Sequence, residues 1–324
     1  MGSILGVSAA WKEASMDDLV VCTGMAMLDV PIRGMPPLDP AREMTRAERI
    51  GLNLGGDAVN EAVVLTKLGV RTKLYTALSD DNAGKAIALL LDDAGVDRSL
   101  CERRPGTVSS ISIPIVLENA ERIFVAGKKE NLALSFMPDA DKIAGARIVT
   151  LASLYSPPYL DPEAALVVAR RARAQGSIVC ADITYHKDKG TLADFAEVWP
   201  YVDYFFPNDY EAGLLTGEDE PEAMADALLA AGIGHVVIKI GKRGCLFRSG
   251  KESFTVPAHL VEPVDTTGAG DNFCAGFICG LLEGRDHRAC CRHANATASI
   301  CIRHDGASTG IASRAQLQEV LDNY

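Results

Sequence analysis

The chain has 324 residues, enough to bury a large core in one α/β domain or in two smaller ones. Its 32 Lys and Arg residues against 43 Asp and Glu residues give a net charge of −11, which argues against a protein that binds the phosphate backbone of nucleic acids. Charged residues or glycines interrupt every long apolar run, so we expect no membrane-spanning helix and no membrane partner.

The start of the chain and its cysteines favour an intracellular protein. Residues 1–15 lack the charged start and apolar centre of a secretory signal, and Met16 is an alternative start. We therefore expect a cytoplasmic protein in which residues 1–15 are an extension outside the fold. The nine cysteines are scattered and never spaced C-x-x-C, and the six histidines have no paired metal-ligand spacing. Buried thiols are favoured over a metal or redox centre.

Short β-like apolar runs alternate with helical patterns along most of the chain, which is typical of a parallel sheet with helices on both faces. The fold class expected is therefore α/β. The predicted strands are residues 19–22, 72–77, 148–151, 177–181, 204–206 and 235–240. The predicted helices are residues 58–68, 84–94, 162–174, 221–231 and 270–282.

Two stretches interrupt this alternation. Residues 29–53 are rich in Pro, Met and Arg and show no helical period, and residues 107–125 alternate like a hairpin that turns at 118–121. Both predict a small antiparallel sheet attached to the main domain. Such a sheet over the C-terminal edge of a parallel sheet can act as a lid, although an ordinary edge hairpin gives the same pattern.

Polar residues follow the first predicted strand. Gly24 and Asp29 lie just beyond it, and ligands bind at the carboxyl ends of strands in open α/β sheets. Asp29 is therefore a candidate ligand-binding residue, with an ordinary surface aspartate as the alternative.

A glycine pair precedes the first predicted helix. Gly55 and Gly56 allow close approach of the backbone, while Asp57 can accept hydrogen bonds from hydroxyl groups and Asn60 can both donate and accept them. This pattern suits a polyol, and a glycine turn with Asp57 as N-cap is the alternative. Two carboxylates in one pocket, Asp29 and Asp57, favour a neutral ligand over an anion unless Arg33 or Lys128 compensates their charge.

Asn208 and Glu211 follow the predicted strand at residues 204–206 and lie one helical turn apart. An amide and a carboxylate at that spacing can orient the water molecules around Mg²⁺. The same two residues form the pattern of a capping box, and both interpretations are open at this point.

The sequence KIGKRG occupies residues 239–244, at the end of the strand predicted for residues 235–240. Gly241 and Gly244 open a loop that can lie flat against a nucleotide, and Lys239 or Lys242 can neutralise phosphate charge. A plain turn between two strands is the alternative.

The most informative stretch, DTTGAGDNF at residues 265–273, joins a glycine-rich turn to a helix. Gly268 and Gly270 permit the turn and present unhindered N–H groups, and the helix beginning near Ala269 adds the positive end of its dipole, so we expect a bound anion. Asp271 would lie beside that anion and could take a proton from an attacking hydroxyl. The alternative role for Asp271 is that of a helix cap.

In their order along the chain, these motifs resemble those of the ribokinase, or PfkB, family of carbohydrate and nucleoside kinases. The resemblance runs from about Asp18 to the end of the chain. It implies one three-layer α/β/α domain over residues 16–324, with a mostly parallel central sheet and a small β-lid from about residues 29–53 and 107–127. It also implies ATP as phosphoryl donor and Mg²⁺ as its partner. The motifs are Gly24 with Asp29, GGDAVN at 55–60, PNDYEAGLLTG at 207–217, KIGKRG at 239–244 and DTTGAGDNFCAGF at 265–277.

The resemblance also implies roles for individual residues. Asp271 is the catalytic base, and the backbone amides of Gly268, Ala269 and Gly270 form the anion hole. The implied substrate-binding residues are Asp29, Gly55, Gly56, Asp57, Asn60 and Asp271. The implied nucleotide-binding residues are Asn208, Lys239, Gly241, Gly244, Gly268, Gly270 and Asn295, the last beside the adenine. Asn208 and Glu211 would hold Mg²⁺ through water. Backbone carbonyls would bind a monovalent cation, expected to be K⁺, at Asp265, Thr267, Cys301, His304, Gly306 and Gly310.

The chain departs from ribokinase proper at two positions. Asp57 stands where ribokinase has a lysine, and Tyr155 stands where it has a substrate-contacting glutamate, which argues against ribose. We therefore expect an ATP-dependent kinase that phosphorylates a hydroxyl of another small neutral sugar. A nucleoside kinase and a non-catalytic sugar-binding protein are the alternatives, and Phe124 is the one aromatic residue that the lid offers to a base. A lid with an apolar face could also pair two copies into a homodimer.

Overall fold

The computed structural model describes residues 18–37, 41, 43–117, 122–127, 138–156, 160–184 and 190–324. The expected extension at residues 1–15 and the expected hairpin turn at 118–121 lie outside these residues. Within the described part of the chain, no helix is both long enough and apolar enough to cross a membrane.

Strands and helices alternate along the described chain. In chain order the strands are β1 Val20–Thr23, β2 Met27–Asp29, β3 Ile32–Met35, β4 Arg49–Ile50, β5 Asn53–Gly55, β6 Thr72–Tyr75, β7 Ala77–Ser79, β8 Glu102–Arg104, β9 Ser110–Leu117, β10 Arg122–Ala126, β11 Ile148–Leu154, β12 Ile178–Ile183, β13 Tyr204–Phe205, β14 His235–Lys239, β15 Cys245–Ser249 and β16 Ser253–Val256. The α-helices are α1 Asp57–Lys67, α2 Asn82–Asp93, α3 Pro162–Ala174, α4 Asp209–Thr216, α5 Pro221–Ala230, α6 Ala269–Leu282, α7 His287–Cys301 and α8 Arg314–Asp322.

Eight strands form the main sheet, in the order β16-β15-β14-β13-β12-β11-β1-β6. The six strands from β14 to β6 pair in parallel, and β15 and β16 add an antiparallel edge. Strands β1 and β11 are buried along their whole length, as expected for apolar strands covered on both faces. The predicted α/β class and mostly parallel sheet are confirmed.

Two layers of helices cover the main sheet. Neighbouring residues of β1 belong to separate buried clusters, Val20 to one and Val21 to the other, because successive side chains of a strand point to opposite faces. Helices α1, α2, α6, α7 and α8 contribute buried residues to the first cluster, whereas α3, α4 and α5 contribute to the second. The result is a three-layer α/β/α arrangement.

A smaller sheet, made of β2, β3, β4, β5, β9 and β10, arises from the two irregular stretches. The hairpin pairing of β9 with β10 is antiparallel, as predicted. However, β2 and β3 pair in parallel with successive parts of β9, so the expectation of a purely antiparallel sheet is wrong. The strand predicted for residues 72–77 is also divided: β6 joins the main sheet, and β7 pairs with β8 in a separate two-stranded sheet.

Candidate active site

The glycine-rich turn before α6 has the geometry that its sequence predicts. Gly268 adopts φ 76°, and a Cβ there would lie 2.5 Å from atoms of Ala307. Both the backbone conformation and the close packing therefore require glycine. The Asn272 side chain fixes the turn, since its Nδ2 donates to the carbonyls of Gly268, at 2.8 Å, and Ala307, at 2.6 Å. The first turn of α6 presents its N–H groups beside this turn, a suitable site for an anion.

Asp271 lies in the first turn of α6 and is buried. Its Oδ2 accepts a hydrogen bond from Asn60 Nδ2 of α1 at 2.6 Å. Burial, reinforced by the nearby carboxylates of Asp57 and Asp182, raises the pKa of Asp271 well above its usual value. A carboxylate with a raised pKa is a stronger base, which suits the removal of a proton from a hydroxyl.

Asp57 is the first residue of α1, and Gly56 is the N-cap, so the alternative in which Asp57 caps this helix is wrong. Its carboxylate instead accepts a hydrogen bond from Thr184 Oγ1 at 2.5 Å, and burial raises the pKa of Asp57. Gly56 has φ 97°, and a Cβ there would lie 2.4 Å from the carbonyl oxygen of Met25. The glycine thus brings α1 close to the carboxyl end of β1.

Asp29, at the end of β2, reaches the same region. A Cβ at Gly55 would lie 2.5 Å from the Asp29 carboxylate, so this glycine makes room for the side chain. Burial is the main cause that raises the pKa of Asp29 to about 6, and the negative charge of Asp57 adds to it. The structure therefore brings together the predicted group of Asp29, Asp57, Asn60 and Asp271.

Lys239, at the end of β14, lies beside the anion-binding turn. A Cβ at Gly270 would be 3.1 Å from its Nζ. The same Nζ binds Asp182 Oδ1 at 3.1 Å, and both side chains are largely buried. Burial lowers the pKa of Lys239, but attraction to Asp182 more than compensates and the net pKa is raised. The ammonium group therefore stays charged next to the turn, where it can neutralise a phosphate.

A layer of buried polar groups lies behind this pair. Glu61 Oε2 accepts a hydrogen bond from Thr150 Oγ1 at 2.6 Å, and burial raises the pKa of Glu61 to about 8. Ligand atoms of Glu61, Asp182 and Cys274 lie within 4.8 Å of one another. Burial favours the protonated form of Glu61, and Lys239 pairs with Asp182, so these carboxyl groups already have partners within the protein.

Asn208 and Glu211 form a capping box at the start of α4. The Glu211 N–H donates to Asn208 Oδ1 and the Asn208 N–H donates to Glu211 Oε2, each at 2.8 Å. Lys239 N donates to the carbonyl of the preceding Pro207, so this cap lies against the end of β14. The capping interpretation is thereby confirmed. Both side chains also carry oxygen atoms of the kind that bind Mg²⁺ or its water molecules.

The KIGKRG segment is a turn between the antiparallel strands β14 and β15. Gly241 has φ 59° with open space around it, whereas a Cβ at Gly244 would lie 2.0 Å from the carbonyl oxygen of Val256. On the adjoining helix α7, Asn295 Nδ2 donates to the carbonyls of Pro257, at 2.9 Å, and Val256, at 3.3 Å. Gly241, Gly244 and Asn295 thus lie around the junction of β14, β15 and β16.

Several residues whose carbonyls were expected to bind a monovalent cation make other contacts in the structure. The carboxylate of Asp265 accepts hydrogen bonds from Thr267 N, at 3.0 Å, and Gly306 N, at 3.1 Å, and pairs with the guanidinium of Arg33. The carbonyl of Thr267 accepts from Cys301 Sγ at 3.4 Å. A guanidinium beside the carboxylate would repel a second cation, so this set fits K⁺ poorly.

Two further residues of the expected cation set, Gly310 and His304, also make local contacts. The carbonyl of Gly310 accepts a hydrogen bond from Gln316 Nε2 at 3.1 Å. His304 directs Nδ1 to the carbonyl of Ile300 at 3.0 Å and so stabilises the end of α7. These contacts give the segment a structural role.

Tyr155 does not take the place of a sugar-binding side chain. It is buried, its OH donates to the carbonyl of Thr191 at 2.7 Å, and its ring packs 4.5 Å from that of Phe195. Its backbone is left-handed, with φ 61°. The side chain therefore belongs to the core.

Sequence reasoning missed Asp182 and Thr184, and it named Arg33 only as a possible counter-charge to Asp29 and Asp57. The first two follow directly from the strand predicted for residues 177–181, so the rule that ligands bind at strand carboxyl ends could have found them. No comparable local signal marks Arg33, whose partner Asp265 is 232 positions away.

An open cavity of about 790 Å³, counting space that is continuous with solvent, lies beside the smaller sheet. The loop that precedes α6 and the loop that follows α7 form its other side. Asp29, Asn53 and Phe124 contribute to its wall from the smaller sheet. Thr267 and Ala307 contribute from the opposite side. Asp29, one of the predicted substrate-binding residues, therefore lines this cavity.

A sequence model described as "pfkB family carbohydrate kinase" matches residues 17–314. Among curated proteins, ribokinase of Bacillus subtilis (strain 168) is 28% identical over 276 residues, which cover 82% of this chain and 87% of that protein.

Solved structures share the fold over nearly the whole chain. A ribokinase from Arabidopsis thaliana, solved with ribose and ATP, has a TM-score of 0.78 at 24% identity and covers 94% of this chain and 97% of its own. A putative ribokinase II from E. coli, solved with ATP and Mg²⁺, has a TM-score of 0.80 at 19% identity, with coverage of 95% and 100%. At these identities the similarity shows the fold.

Proposed function

The chain belongs to the pfkB family of carbohydrate kinases, which are phosphotransferases, and from this premise we propose that it transfers the γ-phosphoryl group of ATP to a hydroxyl of a small neutral sugar. One observation carries the proposal: the buried carboxylate of Asp271 lies in the first turn of α6, beside the glycine turn, and is bonded to Asn60 of the polyol motif. A proton acceptor and an anion site are thereby adjacent.

In the proposed reaction, Asp271 removes the proton from the sugar hydroxyl as the oxygen attacks the γ-phosphorus. The bond to the leaving ADP oxygen breaks as the new phosphorus–oxygen bond forms. The backbone N–H groups of Gly268, Ala269 and Gly270 receive the charge that develops on the phosphoryl oxygens, and Lys239 adds a fixed positive charge. Because two hydrogen bonds from Asn272 hold the turn, these donors are already in place before the reaction.

Three carboxyl groups select the acceptor. Asp29, Asp57 and Asp271 would repel an anionic sugar, while each can accept a hydrogen bond from a hydroxyl. Position 57 is an aspartate, whereas ribokinase has a lysine there. A neutral polyol other than ribose is therefore the proposed substrate class.

ATP and Mg²⁺ enter the proposal because the related E. coli structure contains both. Asn208, Lys239, Gly241, Gly244 and Asn295 are the proposed nucleotide-binding residues. Asn208 and Glu211 are oxygen donors that fit Mg²⁺ through its water shell, and the ion would neutralise part of the phosphate charge. K⁺ is omitted, since Arg33 already places a positive charge beside Asp265, one of the residues whose carbonyls were expected to bind it.

We further propose that residues 16–324 form the kinase domain and that the smaller sheet, from segments 29–53 and 107–127, is its lid. The lid would cover the cavity beside Asp29 and exclude water, which competes with the sugar as phosphoryl acceptor.

The outer face of this sheet supports a homodimer. In the β9–β10 register, Ile123 lies opposite Ile115 and Val125 opposite Ile113, so these side chains share one face. Ile123 and Val125 are about half exposed, at 49% and 47%. A second copy would cover this face, and light scattering at micromolar concentration should give twice the mass of the chain; a monomer would exclude the dimer.

A nucleoside kinase is the second candidate. Phe124 lines the cavity and is 65% exposed, so its ring is available to stack on a base. ADP release from ATP should be measured with neutral hexoses and pentoses, anionic ketoacid sugars and nucleosides in parallel. Turnover with a neutral sugar supports the first proposal, and turnover confined to nucleosides supports the second. Binding of a sugar without ADP release from any acceptor would indicate a non-catalytic sugar-binding protein.

A further inference from the structure

Arg33, on β3 of the smaller sheet, reaches across to the segment that leads into α6. Its Nη2 lies 2.5 Å from Asp265 Oδ2 and 3.1 Å from Asp305 Oδ1. The Asp265 side chain is only 5% exposed, and that of Arg33 is 23% exposed. This partly buried pair joins the smaller sheet to the main domain at the entrance to the anion-binding turn.

Asp265 transmits this contact to the turn. Its Oδ1 accepts hydrogen bonds from Thr267 N and Oγ1, at 3.0 and 2.8 Å, and its Oδ2 accepts from Gly306 N at 3.1 Å. Thr267 immediately precedes Gly268, which packs against Ala307, the residue after Gly306. A single carboxylate therefore holds both segments that shape the turn.

That carboxylate needs a counter-charge, because an ionised group so little exposed loses hydration. Arg33 supplies such a charge, with its Nη2 2.5 Å from Asp265 Oδ2. Without it, repulsion between Asp265 and the adjacent Asp305 would be less well compensated. The position of the Thr267–Gly268 backbone thus depends on a side chain from the smaller sheet.

We propose that Arg33 is a positioning residue for phosphoryl transfer, whose guanidinium holds Asp265 and the anion-binding turn and makes a monovalent cation dispensable. The inference rests on the proposed kinase function. The Arg33–Asp265 contact would also couple the two parts of the site. The turn would have its catalytic shape when the smaller sheet lies against the main domain, and the acceptor would bind beneath that same sheet, at Asp29.

Arg49 supplies a matched control. It lies on β4 of the same sheet and pairs with Asp305 at 3.2 Å, but its side chain is 69% exposed. Replacing it removes one positive charge from the same cluster while leaving the Arg33–Asp265 contact in place. The variants to compare are Arg33→Gln, Arg33→Lys and Arg49→Gln.

Turnover should be measured for the full chain with its best acceptor, in a tetramethylammonium buffer with and without KCl. The wild type and Arg49→Gln should agree within about 2-fold in both buffers, since exposed ion pairs contribute little. Arg33→Gln should lose roughly 10- to 100-fold in kcat with a much smaller change in the KM of the acceptor, because a displaced anion hole acts on the transition state. Arg33→Lys should recover part of the loss.

Amide hydrogen exchange gives a readout that needs no acceptor. Peptides covering residues 265–272 should exchange faster in Arg33→Gln than in the wild type or Arg49→Gln. This result does not depend on finding an acceptor. Failure of the kinase proposal can therefore be distinguished from failure of the inference about Arg33. Strong activation of the wild type by K⁺, or equal kcat and equal exchange in the Arg33→Gln and Arg49→Gln variants, would overturn the inference. If Arg33→Gln does not fold, the same comparison applies to Arg33→Lys.

Discussion

Asn60 donates a hydrogen bond from Nδ2 to Oδ2 of Asp271 across 2.6 Å, although 211 positions separate the two residues. The bond connects the first turn of α1 with the first turn of α6. It therefore joins the segment proposed to hold the sugar to the segment proposed to hold the phosphate. Within the site, burial and neighbouring carboxylates raise the pKa of Asp271, whereas the Asn60 bond lowers it.

Replacing Asn60 should change the pH dependence of catalysis. In Asn60→Leu the Asp271 carboxylate loses a donor that stabilises its ionised form, so its pKa rises further. The base is then protonated up to a higher pH, and the acidic limb of the kcat profile should move to higher pH. Steady-state rates from about pH 5.5 to 9 measure this. A uniform fall in kcat with an unmoved limb would show that Asn60 does not tune the base.

The Lys239–Asp182 pair can be separated into a structural and a catalytic part. Lys239→Met leaves a buried carboxylate without its partner and should cost about 3–5 kcal/mol of the free energy of unfolding. Adding Asp182→Asn should restore most of that stability, as measured by urea denaturation. Turnover of the double variant should stay low, since the charge beside the anion-binding turn is missing. Recovery of both stability and turnover would assign the pair a purely structural role.

Two glycines with similar backbone angles provide a direct comparison. Gly268 has φ 76° and a Cβ would contact Ala307, whereas Gly284 has φ 68° and a Cβ would meet nothing within 4 Å. Gly284→Ala should cost about 1–2 kcal/mol of stability, the usual penalty for a left-handed residue, with kcat unchanged. Gly268→Ala should cost more and lower kcat by roughly 10-fold or more, because the anion site is displaced. Equal kcat values for the two variants would contradict the assignment of the turn.

Glu61 should make stability depend on pH. Burial raises its pKa from 4.5 to about 8, so between these values the folded protein holds a proton that the unfolded chain releases. Stability therefore falls as pH rises, by at most about 1.4 kcal/mol per pH unit from this group. Glu61→Gln cannot ionise and keeps an acceptor for Thr150. Its stability relative to the wild type should increase from pH 5 to 8 and then level off; a constant difference would refute the raised pKa.

Local sequence predicted the bounds of the regular elements well where capping residues and prolines mark their ends. Helix α3, Pro162–Ala174, has the predicted bounds because Asp161 caps it and Pro162 follows as the first residue. The strand predicted to end at Leu151 continues to Leu154, with Ser153 at φ 65°. Neither the spacing of apolar residues nor the strand propensity of single residues reveals such an irregular extension. The parallel pairing of β2 with β9 likewise depends on contacts between distant segments.

Some residues of the candidate site could likewise be predicted from local sequence, and others could not. Glycine turns and strand ends predicted Asp29, Asp57 and Asp271, because these signals lie within a few residues of each side chain. The Arg33–Asp265 pair has no local signal and appears only when the smaller sheet is placed against the main domain. Tyr155 shows the opposite case, since its position along the chain suggested the substrate site while its side chain packs in the core.

The central claim, that Asp271 is the base for phosphoryl transfer to a neutral sugar, is tested most directly by the turnover of Asp271→Asn with the best acceptor and saturating ATP. We predict that kcat falls by roughly 10²-fold or more, since the amide cannot accept the proton. ATP affinity, measured by calorimetry on the same preparation, should stay within a few-fold of the wild type and show that the variant is folded. A variant with near-normal kcat would contradict the account.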